Sequence, residues 1–147
     1  MQKSELIQYI SEAIAIMEGF MKIDPNDPTQ FVSRPETIAY RHNNPGNIRL
    51  WGKYPRERGY VKFPTDDTGW AALYKQVDKN IGRKLTLREF FGGKPGVYAG
   101  YAPSTDGNHP IKYAEFVSSY LRGKSAIFQG IDQLLEGIVD DDTTPPL

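Results

Sequence analysis

Glu18 closes the apolar run Ile14-Ala15-Ile16-Met17, and downstream stands a dense polar segment, Arg41-His42-Asn43-Asn44-Pro45-Gly46-Asn47-Ile48-Arg49. A carboxyl held against apolar side chains resists ionisation, and one that keeps its proton near neutral pH can act as a general acid. Glu18 also falls in the last turn of the helix expected here, where the negative end of the dipole disfavours a carboxylate. The competing use of such a residue is a solvated helix edge. Asparagine amides donate and accept at once, which suits sugar hydroxyls and N-acetyl groups. The same Asn-Pro and Pro-Gly pairs also mark tight turns whose asparagines bond their own backbone. Together these residues point to cleavage of a carbohydrate. Glu18 is the candidate catalytic acid, and Arg41, Asn43 and Asn47 are candidates for orienting sugar groups. Tyr101 and Tyr113, like Tyr98 and Trp51, offer flat faces on which sugars stack, with core packing as the alternative.

Other chemistries find less support. The 147 residues carry 18 basic and 18 acidic side chains. Zero net charge gives no field to attract nucleic acid or an anionic membrane. Without cysteine there is neither a disulfide nor thiol catalysis. Two histidines, His42 and His109, show no metal-ligand spacing, so neither a metal nor another cofactor is expected. His42 reads as a turn residue rather than a catalyst. Asp66 and Asp67 read as first-turn helix stabilisers, either of which could double as a second catalytic carboxylate. No apolar run approaches the ~20 residues that span a membrane. Glu5 and Glu12 interrupt the N-terminal helix as a secretion signal; action at the cell wall, in the periplasm or as part of a virion is expected, with another route of export or a lost leader carrying the chain there.

A helix is expected from Ser4 to about Phe20, with Ile7, Ile10, Ile14, Met17 and Met21 on its apolar stripe and Gly19 as its exit. Pro25, Pro28 and Pro35 make residues 22–39 read as an irregular connection. Residues 48–51 and 60–63 read as a hairpin. Thr65 caps a helix from Asp66 to about Ile81, and Thr86-Leu87-Arg88-Glu89 is a capping-box pattern opening a short one. A Gly/Pro/Tyr-rich loop leads to a helix from Pro110 to about Leu121, and another is expected from Ser125 to about Ile138. The class is α+β, mostly α, with a small β-hairpin inserted after the first helix. Residues 1–139 read as a single domain and 140–147 as an acidic, Pro-ended tail. A monomer is expected.

Three segments carry a resemblance: Ala15-Ile16-Met17-Glu18-Gly19-Phe20, the asparagine segment from Arg41 to Arg49, and Phe63-Pro64-Thr65-Asp66-Asp67-Thr68-Gly69-Trp70-Ala71-Ala72-Leu73. With Tyr101-Ala102-Pro103, Asn108, Tyr113 and Phe116-Val117, they resemble a lysozyme-like family of phages and bacteria related to goose-type lysozymes and lytic transglycosylases. The resemblance spans about residues 10 to 121. It implies a lysozyme-like helical fold and cleavage of the β-1,4 bond between N-acetylmuramic acid and N-acetylglucosamine in peptidoglycan glycan strands, with Glu18 as the acid. Gly19 follows Glu18 where transglycosylases commonly have serine. Two routes stay open: a muramidase using a second carboxylate, or a lytic transglycosylase using the substrate's own 6-hydroxyl. The rival class is a non-catalytic member, a glycan-binding or phage/secretion structural component that keeps the fold and lacks the chemistry.

Overall fold

Helix α1, Lys3–Met17, forms where the apolar side chains recur at helical spacing. Its buried face is centred on Leu6, Ile10, Ala13 and Ile14, while Met17, expected inside, is exposed. The exit is a Schellman motif. Gly19 adopts φ +83°, its N–H donates to the Ile16 carbonyl at 3.2 Å, and the Phe20 N–H donates to the Ala15 carbonyl at 2.9 Å. Ala15 and Phe20 then meet in one buried cluster with Met21 and Ala39. The helix thus ends three residues before the expected Phe20, with Glu18 as the residue that half belongs to it.

The computed structural model describes residues 3–125, and the chain divides into two compact units. One unit is residues 11–76, and the other comprises residues 1–10 and 77–147.

In the unit of residues 11–76, the chain leaves α1 directly into an antiparallel hairpin, β1 (Met21–Asp24) and β2 (Asp27–Ser33). Met21 faces Ser33, Lys22 faces Val32 and Ile23 faces Phe31, and the register shifts before Asp24 meets Asp27. This corrects the irregular connection expected there. Pro25 lies in the turn and Pro28 near the start of a strand that bonds on one side, positions where a missing N–H is tolerated. The turn is tied by Asp24, which accepts from the Asn26 N–H at 2.9 Å, and by Asp27, which accepts from Thr29. All of β2 is exposed, so its sequence never acquires the alternation that marks a half-buried strand.

Helix α2 is one turn, Ile38–Arg41, capped by Thr37. The hairpin expected at residues 48–51 and 60–63 shrinks to β3 (Arg56–Glu57) and β4 (Tyr60–Val61). Residues 48–51 are not a strand, another correction. Ile48 instead accepts one backbone bond from Val61 at 2.9 Å. Helix α3 (Asp66–Gly82) begins as expected at Thr65, whose hydroxyl accepts from the Thr68 N–H. Phe20 meets Trp70 edge-on at 5.6 Å and Tyr40 at 5.8 Å, closing the core of this unit.

In the other unit, Thr86 and Glu89 form the expected capping box of α4 (Leu87–Gly92). Helix α5 runs Pro110–Ser125, longer than expected. Phe90, Phe91, Tyr113, Val117 and Leu121 build its core. Beyond Ser125, which ends α5, the helix expected at 125–138 and the tail at 140–147 lie outside the described residues. The described chain is a mostly helical α+β protein in which a small β-hairpin follows α1. Among the described residues no helix is long and apolar enough to cross a membrane.

Candidate active site

Glu18 is fixed by the end of α1. Its N–H donates to the Ile14 carbonyl at 2.8 Å, and Gly19 behind it packs on Thr37, whose hydroxyl donates to the Gly19 carbonyl at 2.8 Å. The side chain is partly buried. Burial raises its pKa from 4.5 to about 7, against the opposing pull of the Arg49 guanidinium. Desolvation therefore outweighs a neighbouring cation, and the group sits at the protonation balance that favours proton transfer near neutral pH. Arg49 is itself exposed and lies over the Tyr60 ring at 5.4 Å.

The asparagine segment separates into different roles. Asn44 is fully buried; its amide donates to the carbonyls of Ile48 and Val61 at 3.0 and 2.9 Å and accepts from the Ile48 N–H at 2.9 Å. It is the keystone of the turn, and nothing in the sequence distinguished it from its neighbours. Asn43 adopts φ +53° and its amide donates to the Phe63 carbonyl at 3.1 Å, so its side chain is committed to the fold. Its backbone carbonyl lies where a Cβ on residue 69 would have to be, so only glycine fits there, in the first turn of α3. Asn47 adopts φ +47°. Its side-chain oxygen is buried and finds no hydrogen-bond partner among the described residues. A buried acceptor in that condition is suited to a ligand's N–H or O–H.

Arg41 is exposed, and its Nε donates to the Thr37 carbonyl at 3.3 Å. It lines a pocket of about 220 Å³ with Ile38, His42, Glu57, Arg58 and Lys62. Arg49, not Arg41, is the arginine whose charge acts on Glu18. Both flank the same segment, and spacing alone cannot say which one turns toward the carboxyl. Tyr101 and Tyr113 belong to the aromatic core of the other unit. Tyr113 is buried and stacked on Phe91 at 4.2 Å, and Tyr101 meets Phe91 edge-on at 6.1 Å.

The candidate second carboxylates Asp66 and Asp67 are exposed, as are two further acids of this unit, Glu36 and Glu57. Asp66 and Asp67 sit in the first turn of α3. Glu36 pairs with Arg34 at 3.1 Å, and Glu57 pairs with Lys62 at 3.2 Å. None of the four contributes to the electrostatics of Glu18. No cluster of potential metal ligands occurs among the described residues. No family model, curated protein or solved structure matches the chain.

Proposed function

We propose that the chain is a peptidoglycan-cleaving glycosidase acting on the β-1,4 bond between N-acetylmuramic acid and N-acetylglucosamine, with Glu18 as the general acid. The observation that carries this reading is the partly buried Glu18 carboxyl, raised to about 7 while an arginine stands beside it. Glu18 gives its proton to the leaving glycosidic oxygen. Arg49 stabilises the carboxylate left behind, so the pair supports both states of the acid. Asn47, whose buried side-chain oxygen has no partner among the described residues, is the asparagine whose amide is left for a sugar amide or hydroxyl that reaches it.

A retaining hydrolase places its second carboxylate about 5–5.5 Å from the acid. A carboxylate so near would raise Glu18 further by like-charge repulsion, and the charge that acts on it is Arg49 instead. That speaks against a retaining hydrolase and leaves two routes, an inverting hydrolase with its second carboxylate about 6.5–9.5 Å away, and a lytic transglycosylase in which the muramic acid's own 6-hydroxyl attacks. The lysozyme-like fold belongs to this proposal as well.

The test is digestion of purified peptidoglycan by the wild-type protein and by Glu18→Gln. Loss of general acid catalysis lowers turnover about 100- to 10,000-fold. Mass spectrometry of the wild-type products then separates 1,6-anhydro-muramic ends from hydrated reducing ends. A Glu18→Gln protein that digests at the wild-type rate overturns the assignment. Glycan binding without turnover by either protein leaves the non-catalytic binding module.

A further inference from the structure

The pocket beside α2 gathers an unusual set of charges. Arg41 and His42 come from the end of α2, Glu57 from β3, Arg58 from the turn after it and Lys62 from the residue after β4. Glu57 stays ionised: Lys62 hydrogen-bonds it and holds its pKa below the usual carboxylate range. Three permanent cations thus face one carboxylate. His42, whose side chain is 7 % exposed, lies 3.8 Å from Glu57, and its Nδ1 has no hydrogen-bond partner among the described residues. Burial holds its pKa below the ordinary histidine value; Glu57 opposes this, whereas Lys62, Arg41 and Arg58 reinforce it. His42 therefore adds no charge of its own, and the lining carries a net charge of +2 on exposed side chains.

We propose that this pocket is an oxyanion site, in which Arg41, Arg58 and Lys62 hold a carboxylate or phosphate group of a ligand against the His42 ring. Arginine forks match the paired oxygens of both groups, and the lysine supplies a point charge. The space of about 220 Å³ exceeds the ~30 Å³ share of one water several-fold, enough for such a group with part of its hydration. The whole chain has zero net charge, so the excess is local and fits one anionic group rather than a polyanion track. Once bound, the anion inverts the field on His42 and favours the imidazolium. Affinity therefore tightens as pH falls through the bound-state pKa of His42.

The test is proton NMR titration of the histidines with sodium sulfate, a dianion that does not titrate in this range, against sodium chloride at equal ionic strength. The chain has two histidines, and His109→Gln assigns their signals. Sulfate is expected to raise the His42 pKa by about one pH unit, as an opposite charge at close range does, and to leave the exposed His109 unmoved. Arg58→Gln with Lys62→Gln is expected to abolish the rise. No rise, an equal rise at both histidines, or a rise that survives the double substitution overturns the proposal. Acetate and methyl phosphate then compete against sulfate. The stronger competitor identifies the natural group, and failure of both also overturns the proposal. The measurement needs no turnover, so its failure leaves the Glu18 reading standing.

Discussion

Arg49 sets its positive charge against the carboxyl of Glu18, and burial of that carboxyl overrides it. The two residues come from opposite ends of the site-forming sequence, one from the exit of α1 and the other from the end of the asparagine segment. Their opposition sets the protonation of the proposed acid. Removing the cation should leave desolvation unopposed. In Arg49→Gln the pKa of Glu18 is expected to rise above about 7, moving the alkaline limb of the pH–activity profile upward. A limb that stays put, measured on peptidoglycan turnover, would show that Arg49 does not act on the proton-transferring group.

The same shift makes a stability prediction. Below 4.5 Glu18 is protonated in both the folded and unfolded chains, and the fold incurs no penalty. As pH rises from 4.5 to about 7 the unfolded chain ionises first, and stability is lost until the folded carboxyl has ionised too. The loss approaches about 3 kcal/mol above that range. Glu18→Gln never ionises, so it should match wild type in acid and exceed it above neutral pH. Parallel urea-denaturation midpoints across pH would check this. A variant destabilised at pH 8 would mark Glu18 as an ion-paired structural residue.

Gly19 occupies the left-handed position of the Schellman motif, where an added Cβ would also press on Thr37 at 3.3 Å. Gly19→Ala should therefore cost about 1–2 kcal/mol and displace Glu18, reducing activity beyond what the stability loss explains. Gly82, at the end of α3 with a negative φ and open space around it, is the control. There alanine should be neutral or stabilising by up to about 1 kcal/mol. Equal melting temperatures for the two variants would remove the conformational argument.

The asparagines should divide by role. Asn44→Ala strands the Ile48 N–H and takes one bond each from the carbonyls of Ile48 and Val61, and is expected to cost about 1–3 kcal/mol. Asn47→Gly keeps the left-handed backbone and removes only the amide, so it should change stability by less than about 1 kcal/mol while raising KM. Thermal melts beside kinetics separate the two. An Asn47→Gly enzyme with unchanged KM would take that amide out of the substrate site.

Much of the helical framework was legible because its signals are local. The spacing of Ile10 and Ile14, the hydroxyls of Thr65 and Thr86, the box glutamate Glu89 and the exit at Gly19 act within one or two turns of the chain. A carboxyl at the end of an apolar helix was likewise readable as a group resisting ionisation.

Tertiary structure alone decided the rest. Strand β2 exposes every residue, so no alternation announced it, and its pairing with β1 exists only once the chain has turned at Pro25. Ile48 to Trp51 had strand-like composition but found a single backbone bond with Val61 instead of a ladder. Arg41 and Arg49 are equivalent as letters, as are Asn43, Asn44 and Asn47. Which arginine faces Glu18, and which amide is consumed by backbone carbonyls, depends on partners far along the chain, such as Phe63 and Val61. Tyr101 and Tyr113 were aromatic by sequence; both pack on Phe91, Tyr113 buried and Tyr101 half-buried. The sequence by itself determined which local conformations and proton affinities were available. Long-range contact, which excludes water from one face and not another, decided which of them this protein uses.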